Sequence, residues 1–120
     1  MAGLGFPHRG EVYLVSFDPT VGSEIKKTRP ALVIQNDIAN EYSPITIVAA
    51  ITSKFGSTLR PTEVLISDGD GGLRQPSVIL LNQIRSIDRS RLIRRLGRVE
   101  TATLKRVGSC LKISFGLIDI

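Results

Sequence analysis

Apolar and polar positions alternate with a period of two over much of this 120-residue chain, the period of β-strands, whose successive side chains point to opposite faces. In "EVYLVSF", residues 11–17, Val12 and Leu14 fall on one face and Tyr13, Val15 and Phe17 on the other, which predicts a first strand. The β-branched runs "ALVIQN" (31–36) and "ITIVAAIT" (45–52) predict two more, each buried on at least one side and separated by "DIANEYSP". "TEVLIS" (62–67) predicts a fourth strand, and the glycine-rich "DGDGGL" (68–73) a hairpin turn. A long fifth strand follows in "SVILLNQIRSI" (77–87), whose apolar half gives way to Asn82, Gln83 and Arg85.

The period changes in "ETATLKRVGSCLKISFGLI", residues 100–118. There Leu104, Val107, Leu111, Ser114 and Ile118 recur at spacings of three or four, with Lys105, Arg106 and Lys112 off the stripe. That pattern predicts an amphipathic helix with Cys110 in the core or an interface. Five or so short strands followed by one helix predict a mainly β fold, a small partly open barrel with the helix over one end or face. Residues 9–120 read as one domain, and "MAGLGFPH" (1–8) as a flexible N-terminal extension.

Composition narrows the classes. Hydrophobic residues make up 42% and charged residues 22%, a globular balance in which no run approaches the ~18 apolar residues of a membrane span. The N-terminus lacks the basic and apolar regions of a signal peptide, so a cytoplasmic location is expected. One cysteine forms no internal disulfide, and one histidine with no ligand cluster leaves no metal or cofactor to expect. A net charge of +5 points to polyanions or acidic protein partners.

Familiar enzyme motifs are absent. No GxSxG, HExxH or Cys/His pattern occurs, and the glycine cluster lacks the spacing of a phosphate-binding loop. His8 stands in the N-terminal arm, and Asp88 before "RSRL" suits a helix N-cap. What remains is a polar set at strand ends: Arg29, Asn36, Thr52, Ser53, Gln83 and Arg85. Arginine donors fit phosphate oxygens, hydroxyls add neutral donors and amides read base edges, as a phosphodiester site requires. The same residues also suit strand caps and a solvated rim. Before them lies "DPTVGSEIKKT" (18–28), a loop of roughly ten residues, longer than a hairpin connection needs. Lys26 and Lys27 within it are either solvating charges or phosphate attractors, and Pro30 biases Arg29 towards an extended backbone.

"RGEVYLVSFDPTVGSEIKKTRPALVIQND", "SPITIVAAITS" and "VILLNQIRSIDRSRL" together resemble the MazF/PemK toxin endoribonucleases of bacterial toxin–antitoxin pairs. The likeness runs from about Arg9 to Leu117 and is carried by GSE…RP and QIRxIDxxRL in combination. It implies an SH3-like barrel with a C-terminal helix, a homodimer, and metal-independent cleavage of single-stranded RNA. It also implies a cognate antitoxin whose acidic, disordered C-terminal segment blocks the RNA site. The catalytic pair implied by the resemblance falls on Arg29 and Thr52. Ser23 and Glu24 match the GSE loop, and Asn36 and Gln83 match positions near the RNA path. Asn82 and Glu100 depart from the family's usual acidic residue and aspartate cap. A guanidinium accepts a proton poorly, so Glu24 is the expected acceptor of the 2′-hydroxyl proton if the loop closes. Two rivals stay open: a toxin of the same fold that poisons DNA gyrase without catalysis, and a catalytically silent nucleic-acid-binding module.

Overall fold

The computed structural model describes residues 5–119. Six strands form one antiparallel sheet: β1 (Glu11–Ser16), β2 (Thr28–Val33), β3 (Ile45–Thr52), β4 (Glu63–Ile66), β5 (Ser77–Asp88) and β6 (Leu92–Arg98), in the spatial order β4-β5-β3-β2-β1-β6. Two helices complete it, α1 (Asp37–Tyr42) and α2 (Thr101–Ser114). The mainly β fold with a C-terminal helix is therefore the observed class.

Alternation sorts the side chains to the two faces. Val12, Leu32, Ala49, Ile51, Ile79 and Leu81 form one core with Val107 and Cys110 of α2. Val15, Phe17, Ala31, Val33, Val48, Ala50 and Ile87 form a second, with Tyr13 packed against it. Burial pushes the Cys110 thiol above its ordinary pKa.

The sheet curls without closing. β5 pairs with β4 through Ser77–Leu80 and with β3 along most of its length, and its register slips between Ala49↔Ile84 and Ile51↔Ile79. The extra β5 residues at the slip form a bulge that bends the strand. At the far side the β4–β5 connection, a 3₁₀ turn at Asp70–Gly72, presses against β6. A Cβ on Gly72 (φ +77°) would lie 2.0 Å from the Leu96 carbonyl oxygen, and one on Gly97 would lie 2.6 Å from the Gly71 carbonyl carbon. Only glycine allows two backbones to meet this closely. The ends of the sheet thus touch through a turn, with no ladder between β4 and β6.

The structure departs from the sequence reading in five places, the first being β2, which runs Thr28–Val33 rather than over 31–36. "DIANEYSP" contains α1, whose N-cap Asn36 accepts from the Ala39 N–H at 2.9 Å. Asn40 is fully buried there and accepts from Thr46 Oγ1 at 2.7 Å. A helix of 6 residues is too short to display its period. "RSRL" gives one 3₁₀ turn, Arg89–Arg91, and then β6. Asp88 caps that turn through the Ser90 N–H at 2.8 Å, which holds its carboxyl below the usual carboxylate range. β6 escapes the period-two test because it is an exposed edge rich in arginine.

Finally, α2 stops at Ser114 rather than at residue 118. Gly116 (φ +72°) ends it, with Leu117 N–H donating to Lys112 O at 2.8 Å and Gly116 N–H to Ile113 O at 3.0 Å, the paired bonds of a Schellman motif. Of the N-terminal extension, residues 1–4 lie outside the described residues. Pro7 is buried, and the rings of Phe6 and His8 stack at 4.4 Å.

Candidate active site

The register explains why Arg29 and Thr52 line one cavity. β2 and β3 pair through Ala31↔Ala50, Leu32↔Ala49 and Val33↔Val48. Continued two residues, that register sets Arg29 opposite Thr52 and Pro30 opposite Ile51. The Ile34 N–H donates to Ile47 O across this ladder, so by the period of two the nitrogen of residue 30 also faces β3. Proline has no N–H to give, and the ladder ends there. β2 stays paired to β1 through Arg29↔Val15, while Thr52 stays paired to β5 through Val78. The two side chains are thus held on strands anchored from their outer sides.

A cavity of about 180 Å³ opens at this point, lined by Arg29 and Pro30 of β2, by Ile51, Thr52 and Ser53 at the end of β3, and by Leu73, Arg74, Gln75 and Ser77 of the segment leading into β5. Its lining residues include two arginines and no acidic residue. Arg29 Nε donates to Lys26 O at 3.2 Å, and among the described residues its terminal nitrogens have no hydrogen-bond partner. Thr52 Oγ1 accepts from the Lys54 N–H at 3.1 Å and lies 3.4 Å from Lys54 O. Its own proton therefore has only a weak protein acceptor. This arrangement offers charged and neutral donors to an anion.

The other half of the expected site gathers elsewhere. Ser23, Glu24, Gln83 and Arg85 line a second cavity of about 350 Å³ with Phe17, Ile25, Asn82 and Ile84. Here the polar groups bind the protein itself. Gln83 accepts from the Ile25 N–H and donates to Ser23 O, both at 3.4 Å. Arg85 Nη1 donates to Phe17 O at 2.5 Å with its guanidinium 5.8 Å from the Phe17 ring centroid. Glu24 Oε1 accepts from the Val21 N–H at 2.7 Å. Gln83 and Arg85 thus fasten the β1–β2 loop to β5, while the Glu24 bond lies within the loop.

Asn36, Lys26 and Lys27 line neither cavity. Asn36 caps α1. Lys27 is held at φ 64°, a conformation uncommon outside glycine, by its N–H to Asp18 Oδ1 and its carbonyl to the Phe17 N–H, each at 2.9 Å. Arg74, Gln75 and Ser77 are the lining residues that sequence reasoning missed. "RQP" falls between a turn and a strand, so no periodicity singles it out. Among the described residues, no group of three or more His, Cys, Asp or Glu side chains is arranged to hold a metal ion.

The open barrel, its C-terminal helix and the strand-end donor pair define a small toxin-type domain. Residues 8–115 match the family described as "PemK-like, MazF-like toxin of type II toxin-antitoxin system", and the chain belongs to it. It is 46% identical to endoribonuclease EndoA of Bacillus subtilis over 92% of this chain and 96% of that protein. Endoribonuclease MazF of Staphylococcus saprophyticus is 44% identical over 93% of each chain. Among solved structures, MazF of Deinococcus radiodurans superposes with a TM-score of 0.79 at 27% identity, covering 93% of this chain and 98% of the other. A MazE–MazF complex from the same organism gives a TM-score of 0.72 at 25% identity, covering 93% and 97%.

Proposed function

We propose that this toxin is an endoribonuclease that cleaves single-stranded RNA at specific short sequences without a metal ion. The observation that carries this is the Arg29–Thr52 pair at the splayed ends of β2 and β3, in a cavity with two cations and no acid. RNA brings its own nucleophile, the ribose 2′-hydroxyl beside the scissile phosphorus, so the protein need only position it and stabilise charge. In-line attack forms the 2′-O–P bond and breaks the P–O5′ bond, leaving a 2′,3′-cyclic phosphate and a 5′-hydroxyl. Arg29 and Thr52 donate to the phosphoryl oxygens as they gain charge, and Arg29 supplies the proton for the departing 5′ oxygen. An alkoxide is basic enough to take it.

Glu24 accepts the 2′-hydroxyl proton, which requires the β1–β2 loop to move from its fastened position and release the Val21 N–H. Ser23, Gln83 and Arg85 shape the RNA path by holding that loop, and Ser53 lines the cleavage cavity. Lys26 and Lys27 attract the phosphate backbone, and Asn36 lies beside the RNA at the start of α1. The protein acts as a cytoplasmic homodimer, and a cognate antitoxin silences it by laying an acidic, disordered C-terminal segment across the basic surface. The net charge of +5 supports that complementarity.

Incubating the purified protein with a long RNA in EDTA, then mapping the new ends, tests this directly. Discrete cuts that leave cyclic-phosphate and 5′-hydroxyl ends are expected, and the same duplicated sequence as DNA should stay intact. RNA left whole, or cut only when a divalent ion is restored, would sink the proposal.

A further inference from the structure

We infer that Arg74 is a second phosphate-binding residue of the cleavage site and grips the RNA backbone one phosphate away from the scissile one. The assignment rests on the proposed role of Arg29 and Thr52, and it concerns a third segment that lines their cavity. Arg29 approaches from β2, whereas Arg74 stands on the segment that leads from the Asp70–Gly72 turn into β5. A single strand seated on the cavity presents successive phosphates to residues from these different segments.

Charge balance is the first support. Arg85, Arg89, Arg91, Arg95 and Arg106 all bond to protein acceptors. Arg74, like Arg60, Arg94 and Arg98, has no such partner among the described residues, and of these four only Arg74 borders the cavity lined by Arg29, whose lining includes no acidic residue. Two like charges beside one small cavity repel, and a bound anion removes the repulsion. A guanidinium presents a planar fork that matches phosphate oxygens in two parallel bonds.

Rigidity is the second. Leu73, immediately before Arg74, is 7% exposed, and its carbonyl accepts from the Gly69 N–H at 2.5 Å. On the other side Pro76 restricts the backbone, and buried Ser77 donates from Oγ to Gln75 O at 3.0 Å. The preceding turn is locked by Asp70, whose carboxylate accepts from the Glu100 N–H at 2.9 Å and from Thr103 Oγ1 at 2.6 Å. The exposed guanidinium therefore hangs from a fixed backbone, so binding an anion orders only the side chain.

The test uses RNA carrying one 2′-deoxynucleotide at the mapped cleavage step, which binds without being cut, together with cleavable RNA. Wild type, Arg74→Gln, Arg74→Lys and Arg29→Ala are compared over a salt series. Arg74→Gln is expected to weaken binding about tenfold and to reduce the slope of log affinity against log salt by about 0.7. Its loss in cleavage should fall on KM, with melting temperature held. Arg74→Lys should restore the slope and part of the affinity. Wild-type affinity and slope in Arg74→Gln would overturn the inference, as would a loss confined to kcat, which would put Arg74 on the scissile phosphate. Wild-type cleavage by Arg29→Ala would instead overturn the catalytic reading while leaving the Arg74 binding result to stand.

Discussion

At the Arg29–Thr52 cavity the side chains hang from strand ends and leave donors uncommitted, whereas under the β1–β2 loop Gln83 and Arg85 donate to the chain itself and Glu24 accepts from it. The first region is a set of donors with weak protein acceptors or none among the described residues, on strands held by β1 and β5 from outside. The second is a fastening whose bonds at Gln83 are long, 3.4 Å in both directions, and exchange readily with other partners. Rigid geometry suits stabilising a transition state, because donors already in place need no reorganisation. A lightly fastened loop suits admitting and covering a flexible strand. Under the proposed function, the contrast gives chemistry to the strand ends and access to the loop.

The largest expected effect lies on the rigid side. Arg29→Ala should lower kcat about a hundred- to thousandfold, and Thr52→Val by a similar order, with little change in affinity for the uncleavable RNA. Single-turnover rates within threefold of wild type would break the assignment of chemistry to that cavity. The loop side contributes one catalytic group in this scheme. Glu24→Gln should cost about a hundredfold in single-turnover rate, and a rate within threefold of wild type would confine the loop to access.

Asp70→Ala tests whether rigidity matters. Removing that carboxylate leaves the Glu100 N–H and Thr103 hydroxyl of α2 without their acceptor, which should cost about 1–3 kcal/mol and lower Tm by several degrees. If the segment leading into β5 depends on this anchor, cleavage should fall more than loop-side binding, which fluorescence anisotropy and cleavage assays on one preparation can separate. Smallest is the effect of Lys26→Gln with Lys27→Gln. Loss of two phosphate contacts should reduce the salt slope by about 1.4 and leave the mapped cleavage sequence unchanged, since backbone contacts position and base contacts specify. A shifted cleavage sequence would mean that the loop reads bases.

Much of this architecture was legible in the chain because each buried strand carries its own evidence. Val12 against Val15 and Phe17, or Leu32 against Ala31 and Val33, show the alternation that the two cores require. α1 was hidden because its stability comes from the buried Asn40 network and the Asn36 cap rather than from an apolar stripe. β6 was hidden because an edge strand exposed to solvent has little need to alternate.

The site divides the same way. The sequence by itself determined that Pro30 would end a ladder beside an arginine, because a missing N–H is a property of the residue and not of its surroundings. It also determined two-faced strands, the basic balance and the family. Only the tertiary structure decided that Thr52, 23 positions further on, stands opposite Arg29, since that follows from the β2–β3 register. It alone decided that Asp70 caps a helix thirty residues away, and that the same turn carries Arg74 to the cavity. Those pairings depend on how the sheet curls, and the curl arises from a bulge and from glycine contacts between distant backbones, which no local pattern records.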